Sequence, residues 1–276
     1  MFGKMQQIET KFSILLYHDI QSDNVDLSQK AIELRPYTLG LSDFERQVKY
    51  LLENGYQTIS LNSLVNWHES RYHLPHKPMA IVFDDGWESN YTLAYPVLKK
   101  CGFTATFFVI VGKVGLKGMM TWDQIKEMAE NGMEIGSHTL THPVPSELSD
   151  EELEFELKES KRILEKKLDR KIDLLSSPTG FYNPHMVEIA KKVGYGALCI
   201  SRIGLNNFSD SNLFCLKKIG IKRKLPFPVF KAIVQRERST LFRLRSQQLI
   251  REMVRKLLGR KHYEQLRALC LSRLME

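Results

Sequence analysis

From Phe12 to Ile200 the chain alternates short apolar runs with capped, amphipathic helical patterns. This alternation constrains the fold more than any other feature, because strand–helix repeats of this kind build a parallel sheet. The expected strands are Phe12–Tyr17, Tyr56–Ser60, Ala80–Phe83, Thr104–Val109, the run leading to His138, Ile172–Leu175 and Tyr195–Ile200. Ser42-x-x-Glu45, Thr121-x-x-Gln124 and Ser149-x-x-Glu152 read as capping boxes that start helices. Gly55, Gly102, Gly132 and Gly194 close helical patterns. A further short helix runs through Leu64, Val65 and Trp67, and others over Asn90–Lys100 and Met186–Val193. Gln21–Leu39, Tyr72–Pro78 and Gly112–Met120 read as loops. Polar groups at successive strand exits point to a barrel, whose sites lie at the carboxyl face.

The sharpest of these exits is Phe83-Asp84-Asp85-Gly86-Trp87. Neighbouring side chains on a strand diverge, so the two carboxylates can take different jobs. One could bind a metal while the other stays free as a base. A plain Asp-Gly turn after a core strand explains the same residues equally well. About fifty residues on comes Ser137-His138-Thr139-Leu140-Thr141-His142-Pro143. Two imidazoles with one carboxylate make a three-ligand metal site with open positions. Pro143 disfavours helical geometry at His142, so His138 is expected at a strand end and His142 in a tight turn after it. A histidine pair alone is a weak signal; combined with the Asp-Asp-Gly exit it becomes specific.

Phe83-Asp84-Asp85-Gly86 and Ser137-His138-Thr139-Leu140-Thr141-His142 resemble the first two signature motifs of the polysaccharide deacetylases, the NodB-homology domain of carbohydrate esterase family four. The resemblance runs from about Phe12 to about Ile221. It includes Leu15-Leu16-Tyr17-His18, similar to the opening strand of the exopolysaccharide-type branch. It implies an α/β fold, a distorted, incomplete (β/α) barrel, with Asp84 as general base. It implies Asp85, His138 and His142 as ligands of a divalent metal, zinc first, with cobalt, nickel or manganese as alternatives. The implied reaction removes N-acetyl groups from an amino-sugar polysaccharide or oligosaccharide. Deacylation of a lipid-linked sugar and a non-catalytic glycan-binding role are the competing readings.

Two later motifs depart from the family pattern. Ser176-Ser177-Pro178-Thr179-Gly180-Phe181-Tyr182 stands where Arg-x-Pro-x-Gly is usual, with Ser176 in place of the Arg that orients the base. Asp84 must then be held in another way. Pro178, Thr179 and Tyr182 remain candidate substrate contacts, with the Thr179 N–H as an oxyanion donor. Where the family's acid His falls, this chain has Lys218. An unperturbed Lys is a poor proton donor near neutrality. His18 is the first substitute and His185 the second. His68, His73, His76 and His262 lie outside any motif and read as surface residues. Trp87, Trp122 and Tyr182 are candidates to stack on sugar rings.

Four scattered cysteines argue against a disulfide framework and fit a reducing compartment. No signal-peptide core or spanning segment is visible, so a cytoplasmic location is expected. Residues 1–221 read as the catalytic domain and 222–276 as a basic helical extension. The extension holds 15 Lys and Arg against four Asp and Glu, although the whole chain carries only +8. Its helices, over Pro226–Val234 and Leu241–Leu258, interleave apolar and basic residues, a pattern that fits an anionic membrane surface. Packing on the barrel with a solvated basic face fits as well. No nucleic-acid recognition motif accompanies the charge.

Overall fold

The computed structural model describes residues 11–65, 75–208 and 212–275. In chain order the elements are β1 (Lys11–Tyr17), β2 (Asp19–Gln21), β3 (Thr38–Gly40), α1 (Leu41–Glu53), β4 (Gln57–Thr58), α2 (Asn62–Val65), β5 (Pro78–Phe83), α3 (Tyr95–Lys100), β6 (Thr106–Val109) and α4 (Trp122–Glu130). They continue with β7 (Glu134–Ser137), α5 (Asp150–Leu168), β8 (Leu174–Ser176), α6 (Pro184–Val193), β9 (Ala197–Ile200), β10 (Asn206–Asn207), β11 (Leu216–Gly220), α7 (Phe227–Val234) and α8 (Arg238–Met275).

Seven parallel strands close into a barrel. The order β1-β11-β9-β8-β7-β6-β5 returns to β1, because β1 pairs in parallel with both β11 and β5. The ring is thus complete but one strand short of the eight of a full (β/α) barrel. Helices cover the outside, and two apolar clusters result. Phe12, Ile14, Leu16, Ala80, Val82, Phe108, Leu174, Cys199 and Leu216 belong to one, inside the barrel. Alternate residues of the same strands, such as Leu15, Ile81, Phe107 and Ile219, pack outward with the helices.

Local rules account for most helix ends. Thr121 and Ser149 form the expected capping boxes. Ser42 does not: α1 begins two residues earlier than that box requires, at Leu41, with Gly40 as its cap. The Ser42 hydroxyl and N–H both donate to the Asp23 carboxylate instead, at 2.9 and 3.2 Å. An acid from the preceding loop therefore takes the place of the local cap, a favourable charge for a helix start. The helix expected over Asn90–Lys100 is also divided. Asn90–Ala94 forms a wider π-helical turn and α3 follows, with Pro96, which has no N–H to give, in its first turn. The loop expected at Gln21–Leu39 is closed at its two ends by β2 and β3, which pair in parallel. Trp67, His68 and His73 lie outside the described residues. Helix α7 buries Phe230, Ile233 and Val234 against the outer core, so the basic extension begins with a packed helix.

Candidate active site

Strand alternation builds the centre of the site. Val82, Leu174 and Leu216 line the barrel interior, so the residues two further on, Asp84, Ser176 and Lys218, face the same interior nearer its carboxyl end. The Asp84 N–H continues the ladder by donating to the Tyr17 carbonyl at 3.0 Å. His138 follows Gly136 in the same alternation. Gly136 has to be small there, since a Cβ would lie 2.6 Å from the Phe108 ring.

Asp84 and Lys218 form a buried ion pair. Lys218 is 1 % exposed; its Nζ donates to Asp84 Oδ2 at 2.5 Å and to Ser176 Oγ at 2.6 Å. The Ser176 hydroxyl in turn donates to Asp84 Oδ1 at 3.1 Å. The two departures from the family pattern thus meet on one carboxylate. Burial alone would raise the Asp84 pKa, but the Lys218 charge, followed by His138 and His18, outweighs it and holds the carboxyl at about 2.

Asp85 leaves the strand geometry with φ 81° and sits before Gly86 at φ 83°. The Trp87 indole N–H donates to Asp85 Oδ2 at 3.1 Å. Asp85 Oδ1 faces His138 Nε2 at 3.5 Å and His142 Nε2 at 3.8 Å. His138 Nδ1 lies 2.8 Å from the Ser176 carbonyl. A carbonyl only accepts, so Nδ1 is the donor there, and Nε2 is the nitrogen turned toward Asp85. His142 lies in the expected tight turn, with φ 65°, and Thr139 has φ 66°. Such backbone is costly for non-glycine residues and marks a place that its surroundings force. Here the forcing group is Glu156 of α5, which accepts from the Leu140 and Thr141 N–H groups, each at 2.9 Å, and from the Thr141 hydroxyl at 2.7 Å.

One donor atom from each of Asp85, His138 and His142 lies within 4.8 Å of the others. Two nitrogens and one oxygen suit zinc or a similar divalent ion, and the Ser176–His138 and Trp87–Asp85 bonds are the outer partners such ligands need. Burial, then the neighbouring His138, lowers the His142 pKa to about 4, so its imidazole is neutral at physiological pH, as a ligand must be.

His18 stands at the exit of β1, its ring 4.8 Å from that of Tyr37. With Asp85, Trp87, Tyr37 and Lys30 it borders a small cavity. Its Nδ1 is buried, with no hydrogen-bond partner among the described residues. Burial lowers its pKa, while Asp85 and Asp84 pull it back up. His185, by contrast, does not join the site. It is exposed, pairs with Asp150, and has its pKa raised by that bond. His76 and His262 are exposed, as expected.

Pro178, Thr179 and Tyr182 follow directly after Ser176. Thr179 is exposed with φ 56°, Pro178 is buried, and the Arg202 guanidinium lies 5.4 Å from the Tyr182 ring. Trp122 packs on the outer core beside Lys167, not at the site. The roles of Trp87 toward Asp85 and of Glu156 toward the histidine turn have no clear signal in the sequence, although Trp87 does follow the Asp-Asp-Gly exit directly.

Comparison with known proteins identifies the family. A family model described as polysaccharide deacetylase matches residues 71–198. YxkH of Bacillus subtilis (strain 168), named for polysaccharide deacetylase, is 32% identical over 225 residues, 82% of this chain and 76% of that protein. A poly-beta-1,6-N-acetyl-D-glucosamine N-deacetylase of Staphylococcus aureus is 27% identical over 69% of this chain and 72% of its own. Among solved structures, the Streptococcus pyogenes deacetylase PplD in complex with acetate superposes with a TM-score of 0.72 at 27% identity, covering 82% of this chain and 97% of that one. IcaB from Ammonifex degensii gives 0.69 at 26%, covering 82% and 97%. With the barrel, the motifs and these relatives in agreement, the chain belongs to the polysaccharide deacetylase family, the NodB-homology proteins of carbohydrate esterase family four.

Proposed function

We propose that the protein is a metal-dependent hydrolase that removes N-acetyl groups from a glucosamine-containing glycan. The observation that supports this best is the convergence of Asp85, His138 and His142 beside Asp84, a carboxylate with its own internal cation. The Staphylococcus aureus relative's name supports the choice of sugar. A divalent ion held by Asp85, His138 and His142, zinc first and cobalt, nickel or manganese next, would supply Lewis acidity to a water and to the acetamide carbonyl.

The chain's own groups handle the protons. Asp84 takes one from the attacking water. With a pKa of about 2 it holds that proton only in passing. The water oxygen bonds to the carbonyl carbon, the C–N bond breaks, and the proton ends on the amine. His18, kept neutral by burial, can receive the proton and hand it to the leaving nitrogen. The turn at Pro178, Thr179 and Tyr182 borders the acyl group, with the Thr179 N–H stabilising the oxyanion. Residues 1–221 carry this chemistry, and 222–276 form a basic helical extension that begins with the packed helix α7.

The test is metal analysis followed by mass spectrometry of N-acetylglucosamine oligomers and lipid-linked N-acetyl sugars. Loss of acetyl units that stops on chelation and returns with metal is expected. Asp84→Asn should still bind one metal, with turnover reduced at least about 10²-fold. Wild-type turnover in that variant would defeat the base assignment. Stoichiometric metal without deacylation of any such glycan would favour a glycan-binding role.

A further inference from the structure

Helix α8 turns a row of large apolar side chains to solvent. Phe242 is 74% exposed, Leu249 49%, Met253 58% and Leu257 86%. Spacings of seven, four and four residues keep these on one side of a helix, and Ile250, 54% exposed, widens the row. The barrel already holds the opposite side. Thr240 is buried there, and Leu241 and Leu244 rest on the outer core. Gln248 is bonded twice, donating to the Ser201 carbonyl at 2.7 Å and accepting from the Ile203 N–H at 2.8 Å.

Residues 238–258 contain six Arg and Lys and one Glu. At about 100° per residue, Arg238, Arg245 and Lys256 border the apolar row on one side, and Arg243 lies on the other. The helix is therefore apolar along its outer face, with three cations along one border and one, Arg243, on the other. Nothing in it is long and apolar enough to cross a membrane.

We propose that this face docks on an anionic lipid bilayer, with Phe242, Leu249, Met253 and Leu257 at the boundary of headgroups and acyl chains and the flanking cations on lipid phosphates. Charge selects this partner. A second copy of the chain would bring two cationic borders together, and a nucleic acid would leave the apolar row in water. The anchoring point also carries meaning. Ser201 follows β9 at the carboxyl face, and a Cβ on Gly180 would lie 2.3 Å from its side chain. The next residue, Arg202, lies over Tyr182. Gln248 thus ties α8 to the loop that touches the Pro178–Tyr182 turn, so a docked protein carries its barrel mouth beside the lipid surface. The docking rests on this surface alone and not on the chemistry proposed for the site.

The test is sedimentation of the full chain with phosphatidylcholine vesicles, with and without phosphatidylglycerol. Binding to the anionic vesicles alone is expected. Combining Phe242→Ser, Met253→Ser and Leu257→Ser should weaken it at least about tenfold while leaving the melting temperature unchanged, since these side chains are exposed. Arg245→Glu with Lys256→Glu should weaken it roughly fivefold for each charge removed. No binding to either vesicle, or binding indifferent to the apolar substitutions, would overturn the proposal. Dimers abolished by the same serine substitutions, without vesicle binding, would assign the face to a second copy. Oligonucleotide binding in place of vesicle binding would assign it to nucleic acid.

Discussion

Replacing Lys218 with Met keeps most of the side chain's volume and removes its charge from the barrel interior. At 2.5 Å, and with an effective dielectric of about 20, the attraction to Asp84 is about 7 kcal/mol. Part of that returns, because Lys218 no longer has to be stripped of water. What remains is a carboxylate 3 % exposed, with the Ser176 hydroxyl as its remaining bond in this triad. Removing one partner of a buried pair costs about 3–5 kcal/mol. Urea denaturation of Lys218→Met at pH 7 should show a loss of that size. Asp84→Asn with Lys218→Met should recover most of it, because the orphaned charge is gone. The sign with pH follows from the Asp84 pKa. In the wild type it is depressed to about 2, so its stabilising contribution is complete above the unfolded value of about 3.9 and is lost as pH falls toward 2. In Lys218→Met burial dominates and the folded pKa rises, so the penalty is greatest at neutral pH and fades below about pH 4. A Lys218→Met protein within about 0.5 kcal/mol of wild type, or a double variant no more stable than the single one, would refute the view that Lys218 is the counter-ion of Asp84.

Trp87→Phe keeps an aromatic side chain but deletes the N–H bonded to Asp85 Oδ2; metal affinity measured by titration calorimetry should fall about 10–100-fold. Glu156→Gln keeps an acceptor but loses the charge that gathers the Leu140 and Thr141 N–H groups. Chemical denaturation should show a loss of about 1–3 kcal/mol, and metal affinity should fall with it because His142 belongs to the same turn. His18→Gln should leave metal binding near wild type and lower kcat at least about 10²-fold, with amine rescue from small imidazoles in solution. Equal losses of metal and kcat would instead make His18 a structural support of Asp85.

The sequence showed the residues whose identity is the chemistry, and hid those whose role depends on where other strands bring their partners. Asp84, Asp85, His138 and His142 stand in two short motifs, and the strand exits that carry them are legible from apolar runs and a single turn glycine. Ser176 and Lys218 looked like two separate losses, of an arginine and of a histidine. In the barrel β8 and β11 bring them to one carboxylate, where a hydroxyl and an ammonium hold Asp84. No local pattern reveals that, since Lys218 lies 134 residues from Asp84 in sequence. Glu156 was hidden for the opposite reason. It sits among the many acids of α5, and only the way that helix packs selects the one carboxylate that meets the histidine turn. The Ser42 cap failed likewise, because Asp23 reached the helix start from a distant loop. Lys218 also carries a consequence for the chemistry. A cation inside the barrel fixes Asp84 as an anion before any ion or substrate arrives, so the spare carboxylate beside the three ligands is charged at physiological pH. A Lys218→Met protein that binds metal normally but loses kcat would separate this charge-fixing role from support of the ligands; unchanged kcat would show that Ser176 alone keeps Asp84 in place.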